Sequence, residues 1–212
     1  MRFVMNRLKT FFFGFAFFVC ISSCLGILIY YHPIPFQDHW YSLRFFDEYL
    51  NGGLTLKSLW AQHNEHRIIF PALMFLLDYL LVHGTGYFLI ASILIIQGLH
   101  AALLGWAVPR QAGISGNHGI VLGSAALVFS FWLIQSENLE SPHQVSFLMG
   151  GFFASLAASL ICRLEITMNG KPVYAAVLLA AACCVISTYS LANGALMWVI
   201  LPIIGWKSGL KG

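Results

Sequence analysis

Apolar runs approaching the length of a membrane crossing, joined by linkers too short to fold alone, are what most restrict this chain. They occupy residues 11–31, 87–107, 119–134, 145–162, 173–187 and 195–206. A helix needs about 20 apolar residues to cross the roughly 30 Å hydrocarbon layer, and backbone polar groups there must be satisfied within the helix itself. Composition agrees: 59% of the 212 residues are hydrophobic and 9% charged, against about 25% charged in soluble domains. The sequence therefore predicts one all-α, polytopic membrane domain spanning residues 1–212, with about six transmembrane helices. A formal charge of +3 without a basic run excludes a nucleic-acid-binding protein.

A seventh stretch decides the topology. In "HNEHRIIFPALMFLLDYLLVHG" the apolar part, Ile68 to Val82, has about 15 residues and is interrupted by Pro71 and Asp78, below the usual crossing length. Lysine and arginine gather on the cytoplasmic side of membrane proteins. If this stretch does not cross, Arg2, Arg7, Lys9, Arg110, Arg163, Lys171, Lys207 and Lys211 are cytoplasmic, and only Arg44, Lys57 and Arg67 are outside. If it crosses, all but the first three move outside. The first arrangement is expected: a cytoplasmic N-terminus, in a bacterial inner membrane, and an outer loop at 32–86 carrying interfacial helices. The same arrangement puts Asp38, Asp47, Glu48, Glu65, Asp78, Glu137 and Glu140 outside, together with His32, His39, His63, His66, His83 and His143. Asp78 has two readings, facing a polar cavity or reaching back to water.

The first run follows a basic head and contains "ISSC", the kind of box at which lipoprotein signals are cut. It continues through "LGILIYY" to about 21 residues, Phe11 to Tyr31, so an uncleaved helix is expected. Cys20, Cys24, Cys162, Cys183 and Cys184 lie in or beside apolar runs and act as small hydrophobes rather than as a disulfide framework.

The outer loops hold the groups capable of chemistry. Pro33 and Pro35 stiffen the exit from the first helix, and Asp38 follows in "PIPFQDHW". It is either an N-cap for the next helix or, with a tuned pKa, a general base. In "HWYSLRFFDEYLNGG", Trp40, Leu43, Phe46 and Leu50 recur at helical spacing, opposite Arg44, Asp47 and Glu48, which predicts an aromatic interfacial helix stopped at Asn51–Gly52. "LTLKSLWAQ" predicts a shorter one. The spacing in "HNEHR" lets His63 and His66, with a distant carboxylate, hold a divalent metal ion, although the zincin pattern is absent. Arg67 suits phosphate through its planar fork, or anchors a helix end among lipid headgroups. The second outer loop, "QSENLESPHQ", offers Glu137, Asn138, Glu140 and His143. "GISG", residues 113–116, looks like the serine motif of rhomboid proteases, but it lies in a cytoplasmic loop with no histidine on a later helix.

The whole pattern resembles the N-terminal module of the C-type, polyprenyl-phosphate-dependent membrane glycosyltransferases, the superfamily of lipid A aminoarabinose transferases and protein mannosyltransferases. It rests on a long outer loop opening with an acid ("QDHW"), interfacial helices, a proline-bearing short helix turning through "HGTGYF", and a second acidic outer loop. "HNEHRIIFP", "ENLESPHQVSF" and "STYSLANGALMW" look like segments of uncharacterised bacterial multispan relatives. What this resemblance implies is inverting transfer of a sugar from a polyprenyl phosphate to a saccharide, lipid or protein acceptor at the outer face. Asp38 would correspond to the first-loop catalytic acid, and Glu137 or Glu140 to the second. Arg67, with His66, would take the donor phosphate; His63, Glu65, Asn138 and His143 would orient acceptor or metal. Members continue through further spans, whereas this sequence ends at "WKSGLKG", which leaves three expectations: a fragment, a degenerate copy, or a small module whose partner completes the site. A non-catalytic protein that binds lipid-linked saccharide is the alternative. A small transporter is a third, disfavoured by the scarcity of ionisable groups in the later runs.

Overall fold

The computed structural model describes residues 2–34, 38–167 and 173–207; Pro35, Lys171 and Lys211 lie outside them. Among the described residues the fold is entirely helical. Long helices α1 (Arg2–Tyr30), α5 (Tyr87–Gln111) and α8 (Val145–Thr167) are long and apolar enough to cross a membrane. Shorter apolar helices are α4 (Ile69–Val82), α6 (Asn117–Phe131), α9 (Val173–Thr188) and α10 (Met197–Lys207). Polar or amphipathic pieces complete the chain: α2 (His39–Leu50), α3 (Leu56–Leu59) and α7 (Ser136–Glu140), with 3-10 turns at Leu133–Gln135, Pro142–Gln144 and Ala192–Leu196.

The helix α1 runs without a break through "ISSC" and packs along α6. Its outward face presents Phe11, Phe17, Phe18, Leu25 and Leu28, as lipid-facing side chains must be. Helices α5 and α6 cross at glycines: a Cβ on Gly105 would stand 2.9 Å from the Cα of Gly123. Small residues allow this backbone approach, the usual device where lipid removes the hydrophobic drive for helix association.

Helix ends inside an apolar environment need partners for their free carbonyls. The expected run 119–134 stops earlier as a helix, at Phe131, where Trp132 turns to extended backbone. The exposed carbonyls find donors on neighbours: Gln97 Nε2 reaches Ser130 O at 2.8 Å, and the Ser23 hydroxyl donates to Phe131 O. The last run, expected over 195–206, is a 3-10 turn leading into α10.

Both ends of α4 touch the same end of the bundle. At its start Phe70 N donates to Tyr189 O (3.4 Å), just past the end of α9. Past its end, Thr85 O accepts from the Tyr31 hydroxyl (2.8 Å), just past the end of α1. The Tyr31 and Tyr87 rings meet at 5.4 Å, joining the exit of α1 to the entry of α5, and Ser187 donates to Gly150 O, joining α9 to the start of α8. Helix α4 therefore does not thread the bundle. The opposite end is marked by Asn6 and Asn117, hydrogen-bonded at 2.8 Å.

Asp78 does neither of the things its sequence position suggests. It is buried, with Oδ2 accepting from Gly86 N (2.8 Å) and Oδ1 from Phe88 N (3.0 Å) and Leu89 N (3.3 Å). The carboxylate caps α5 from another helix. Glycine at 86 has no side chain to cap with, so the orphan amides recruit the nearest carboxylate, which also suits the positive end of the helix dipole.

The helix α2 forms where expected, but its buried face is His39, Ser42 and Phe45. Trp40 and Leu50 are exposed, and Phe46 stacks on Tyr79 of α4. The periodicity of bulky residues marked the apolar face, and part of that face looks outward. The helix α3 starts with a reciprocal cap, Thr55 with Ser58.

Candidate functional site

The end of the bundle that α4 borders collects three loop segments: the entry to α2, the "HNEH" turn, and the turn Pro142–Gln144. Each brings one polar group. Asp38, His63 and His143 offer ligand-type atoms that all lie within 4.8 Å of one another.

Asp38 occupies the N-cap position of α2 but makes no side-chain cap hydrogen bond. Its own backbone is helical, so the carboxylate points away from the amides it would otherwise cap. Only its carbonyl serves the helix, accepting from Tyr41 N at 3.0 Å. Of the two roles the sequence leaves open, capping is set aside, and the carboxylate is free to face the histidines.

His63 and His66 close a two-residue hairpin, each amide donating to the other's carbonyl at 2.8 Å. Asn64, with φ of +50°, supplies the left-handed residue that such a turn requires. The His63 ring lies against Tyr41 (centroids 3.9 Å apart) and 5.5 Å from the His143 ring. Its Nε2 is buried without a hydrogen-bond partner. Burial holds this imidazole below its ordinary pKa, against the opposing pull of the Asp38 carboxylate, so it is neutral at neutral pH and has a lone pair to offer.

His143 is 7% exposed. Phe75 of α4 stacks on it nearly parallel, centroids 5.6 Å apart, and its Nδ1 also lacks a partner. Two aromatic side chains, Tyr41 and Phe75, thus wall two imidazoles, each with one buried ring nitrogen that has no hydrogen-bond partner. His39, one residue beyond Asp38, is buried and its pKa lowered by desolvation.

The histidine pair expected to share a metal, His63 with His66, is replaced. His66 turns to the other side of the hairpin, where its Nδ1 accepts from Ala192 N at 3.2 Å, which puts its ring proton on Nε2. The second imidazole beside His63 comes from position 143, about 80 residues away in sequence. The distant carboxylate is Asp38. Glu65 is exposed at the tip of the hairpin.

The remaining candidates lie around this cluster. Glu137 and Glu140 line a groove of about 360 Å³ with Tyr30, Tyr31, His32 and Pro142; Pro142 ties that groove to the neighbouring His143. Asn138 donates to Gln135 Oε1 at 2.7 Å, within its own loop. Arg67 is exposed and sits over the Trp60 indole (5.3 Å to the ring centroid), which itself packs on Tyr189. Tyr41 and Phe75, which hold the imidazoles, carry no site signal in the sequence beyond their place on apolar helix faces.

No family model, curated protein or solved structure matches this chain.

Proposed function

We propose that the protein is a multi-pass enzyme of the bacterial inner membrane that transfers a sugar, with inversion, from a polyprenyl-phosphate donor to a saccharide, lipid or protein acceptor on the outer side. The observation that carries this reading is the meeting of Asp38 with His63 and His143 at one end of the bundle, beside the groove of Glu137 and Glu140.

In this reading α1, α5, α6, α8, α9 and α10 cross the membrane, and α4 rests at the outer interface. The N-terminus is cytoplasmic. Helix order puts Arg7, Lys9, Arg110 and Lys207 at the end opposite the cluster, the distribution expected of a cytoplasmic face. The shorter crossings, such as α6 with 15 residues, fit where the bilayer thins or the flanking 3-10 turns add length.

The chemistry asks little of the protein. An acceptor hydroxyl attacks the anomeric carbon while the bond to the phosphate oxygen breaks, and polyprenyl phosphate leaves. Phosphate is a good leaving group, so a carboxylate to take the acceptor's proton and a cation to stabilise the departing charge are sufficient. Asp38 is the proposed base. Arg67 and His66 are the proposed phosphate contacts, and the groove of Glu137 and Glu140 is the proposed acceptor side.

The test is turnover by the chain purified into lipid nanodiscs and offered polyprenyl-phosphate sugars, followed as release of polyprenyl phosphate. Wild type is expected to turn over and Asp38→Asn to lose activity about 100-fold or more, the range typical of general-base catalysis. Tight binding with no turnover by wild type would replace this reading with a non-catalytic binder of lipid-linked saccharide.

A further inference from the structure

We infer that Asp38, His63 and His143 form a binding site for a divalent transition-metal ion of the zinc class. This goes beyond the transferase reading, because charge on a leaving phosphate can be met by Arg67 without any metal. The inference rests on this chain's own donor set.

Ligand atoms within 4.8 Å of one another are somewhat wider than the roughly 3.4 Å spacing that metal–ligand bonds of about 2.0–2.2 Å give in a tetrahedron. The ligands come from three separate loop segments at the bundle end, so small side-chain rotations close the difference. No helix has to move.

His143 is more than nine-tenths buried, and its Nδ1 has no hydrogen-bond partner; neither does Nε2 of His63. Buried polar atoms are almost always paired, and each exception calls for a cause. Here the unpaired nitrogens belong to two rings that meet at 5.5 Å beside a carboxylate. An ion that accepts both lone pairs removes both orphans at once.

The donor types choose the metal. Two imidazoles and one carboxylate suit zinc, iron(II), cobalt(II) or manganese(II), whereas magnesium and calcium prefer all-oxygen sets. Three protein ligands leave at least one position open, the arrangement of a catalytic rather than a structural site. In a membrane-surface cluster that position is available to water or to a phosphate oxygen. A carboxylate bound through one oxygen keeps its other oxygen for an acceptor's proton, so the ligand role of Asp38 is compatible with its proposed role as base.

The experiment is metal binding by the untagged full-length chain in nanodiscs, stripped with EDTA and then titrated with Zn²⁺ or Co²⁺. Wild type is expected to bind about one equivalent. Its cobalt spectrum should show d–d bands and no thiolate charge-transfer band, which separates this site from the free cysteines. His143→Gln and Asp38→Asn should each weaken binding more than about 100-fold, since outer-shell partners alone are worth 10–100-fold; His83→Asn should not change it. Asp38 is exposed, so if His143→Gln fails to fold, Asp38→Asn in chains with unchanged circular dichroism decides. Wild-type affinity no higher than that of Asp38→Asn overturns the inference. Failure of the two ideas is separable: Asp38-dependent turnover in metal-free protein would remove the metal and keep the transferase, and metal bound without turnover would do the reverse.

Discussion

Asp78 Oδ2 accepts the amide hydrogen of Gly86 at 2.8 Å, while the same carboxylate's other oxygen takes the amides of Phe88 and Leu89. One buried side chain on α4 thereby holds the first turn of α5 and fixes the angle at which the short helix meets the long one. Replacing it with alanine strands buried amides in an apolar setting. Asp78→Ala is expected to cost about 2–4 kcal/mol, the sum of a lost cap and an unsatisfied donor, and Asp78→Asn distinctly less, because one oxygen acceptor survives. Thermal unfolding of the two variants in detergent, followed by circular dichroism, checks the order; equal loss for both would show that charge rather than acceptor geometry matters.

Gly86 itself tolerates no side chain. Its φ is +77°, and a Cβ there would fall 2.0 Å from the Tyr31 hydroxyl and 3.0 Å from Pro142. Gly86→Ala should therefore destabilise by about 1–3 kcal/mol, from backbone strain and the displaced tyrosine together. Combining it with Tyr31→Phe should recover part of the loss by removing the oxygen that clashes, measured as a rise in melting temperature over the single variant.

The crossing of α5 and α6 makes a sharper steric prediction. At Gly105 the obstacle is backbone, the Gly123 Cα at 2.9 Å, and backbone cannot swing aside as a side chain does. Gly105→Val is expected to cost about 1–3 kcal/mol, whereas Gly98→Ala, which meets nothing within 4 Å, should be close to neutral. A comparison of melting temperatures in the same detergent tests the contrast.

Helix α4 begins at Tyr189 and ends beside Tyr31, so residues on either side of it share one face of the membrane in the proposed orientation. In a chain freed of its native cysteines, a cysteine at Asn64 or at Thr85 should react with a membrane-impermeant thiol reagent on intact cells. A cysteine at Gln111, beside Arg110, should react only after the cells are opened. Labelling of Gln111→Cys in intact cells would reverse the orientation and remove the outer-face site.

Much of the helical plan was legible because it rests on local rules. The apolar runs, the basic residues near their ends, the aromatic helix after Asp38 and the shorter helix in "LTLKSLWAQ" all follow from hydropathy and spacing. Less legible was whatever depends on which loop meets which. The α2 periodicity marked the bulky residues of an interfacial helix, but not that Phe45, Ser42 and His39 would pack against α4 and the 142–144 turn while Trp40 looks outward. His66 stood in the sequence as the natural partner of His63, yet the hairpin gives its Nδ1 to the Ala192 amide.

By itself, the sequence determined an all-helical chain with helices long and apolar enough for a membrane, and a short proline-interrupted helix unsuited to threading it, because chain length, hydrophobic transfer and backbone hydrogen bonding act within each segment. It also supplied the acids and histidines, in loops that the helix order brings to one end. Only the tertiary structure decided that Asp38, His63 and His143 form one cluster and that Asp78 serves as a helix cap instead of a site residue. The cluster depends on loop segments 25, 80 and 105 residues apart in sequence being packed side by side, and the cap on a turn that folds α4 back against the start of α5; buried amides and imidazoles there find partners that no local pattern encodes.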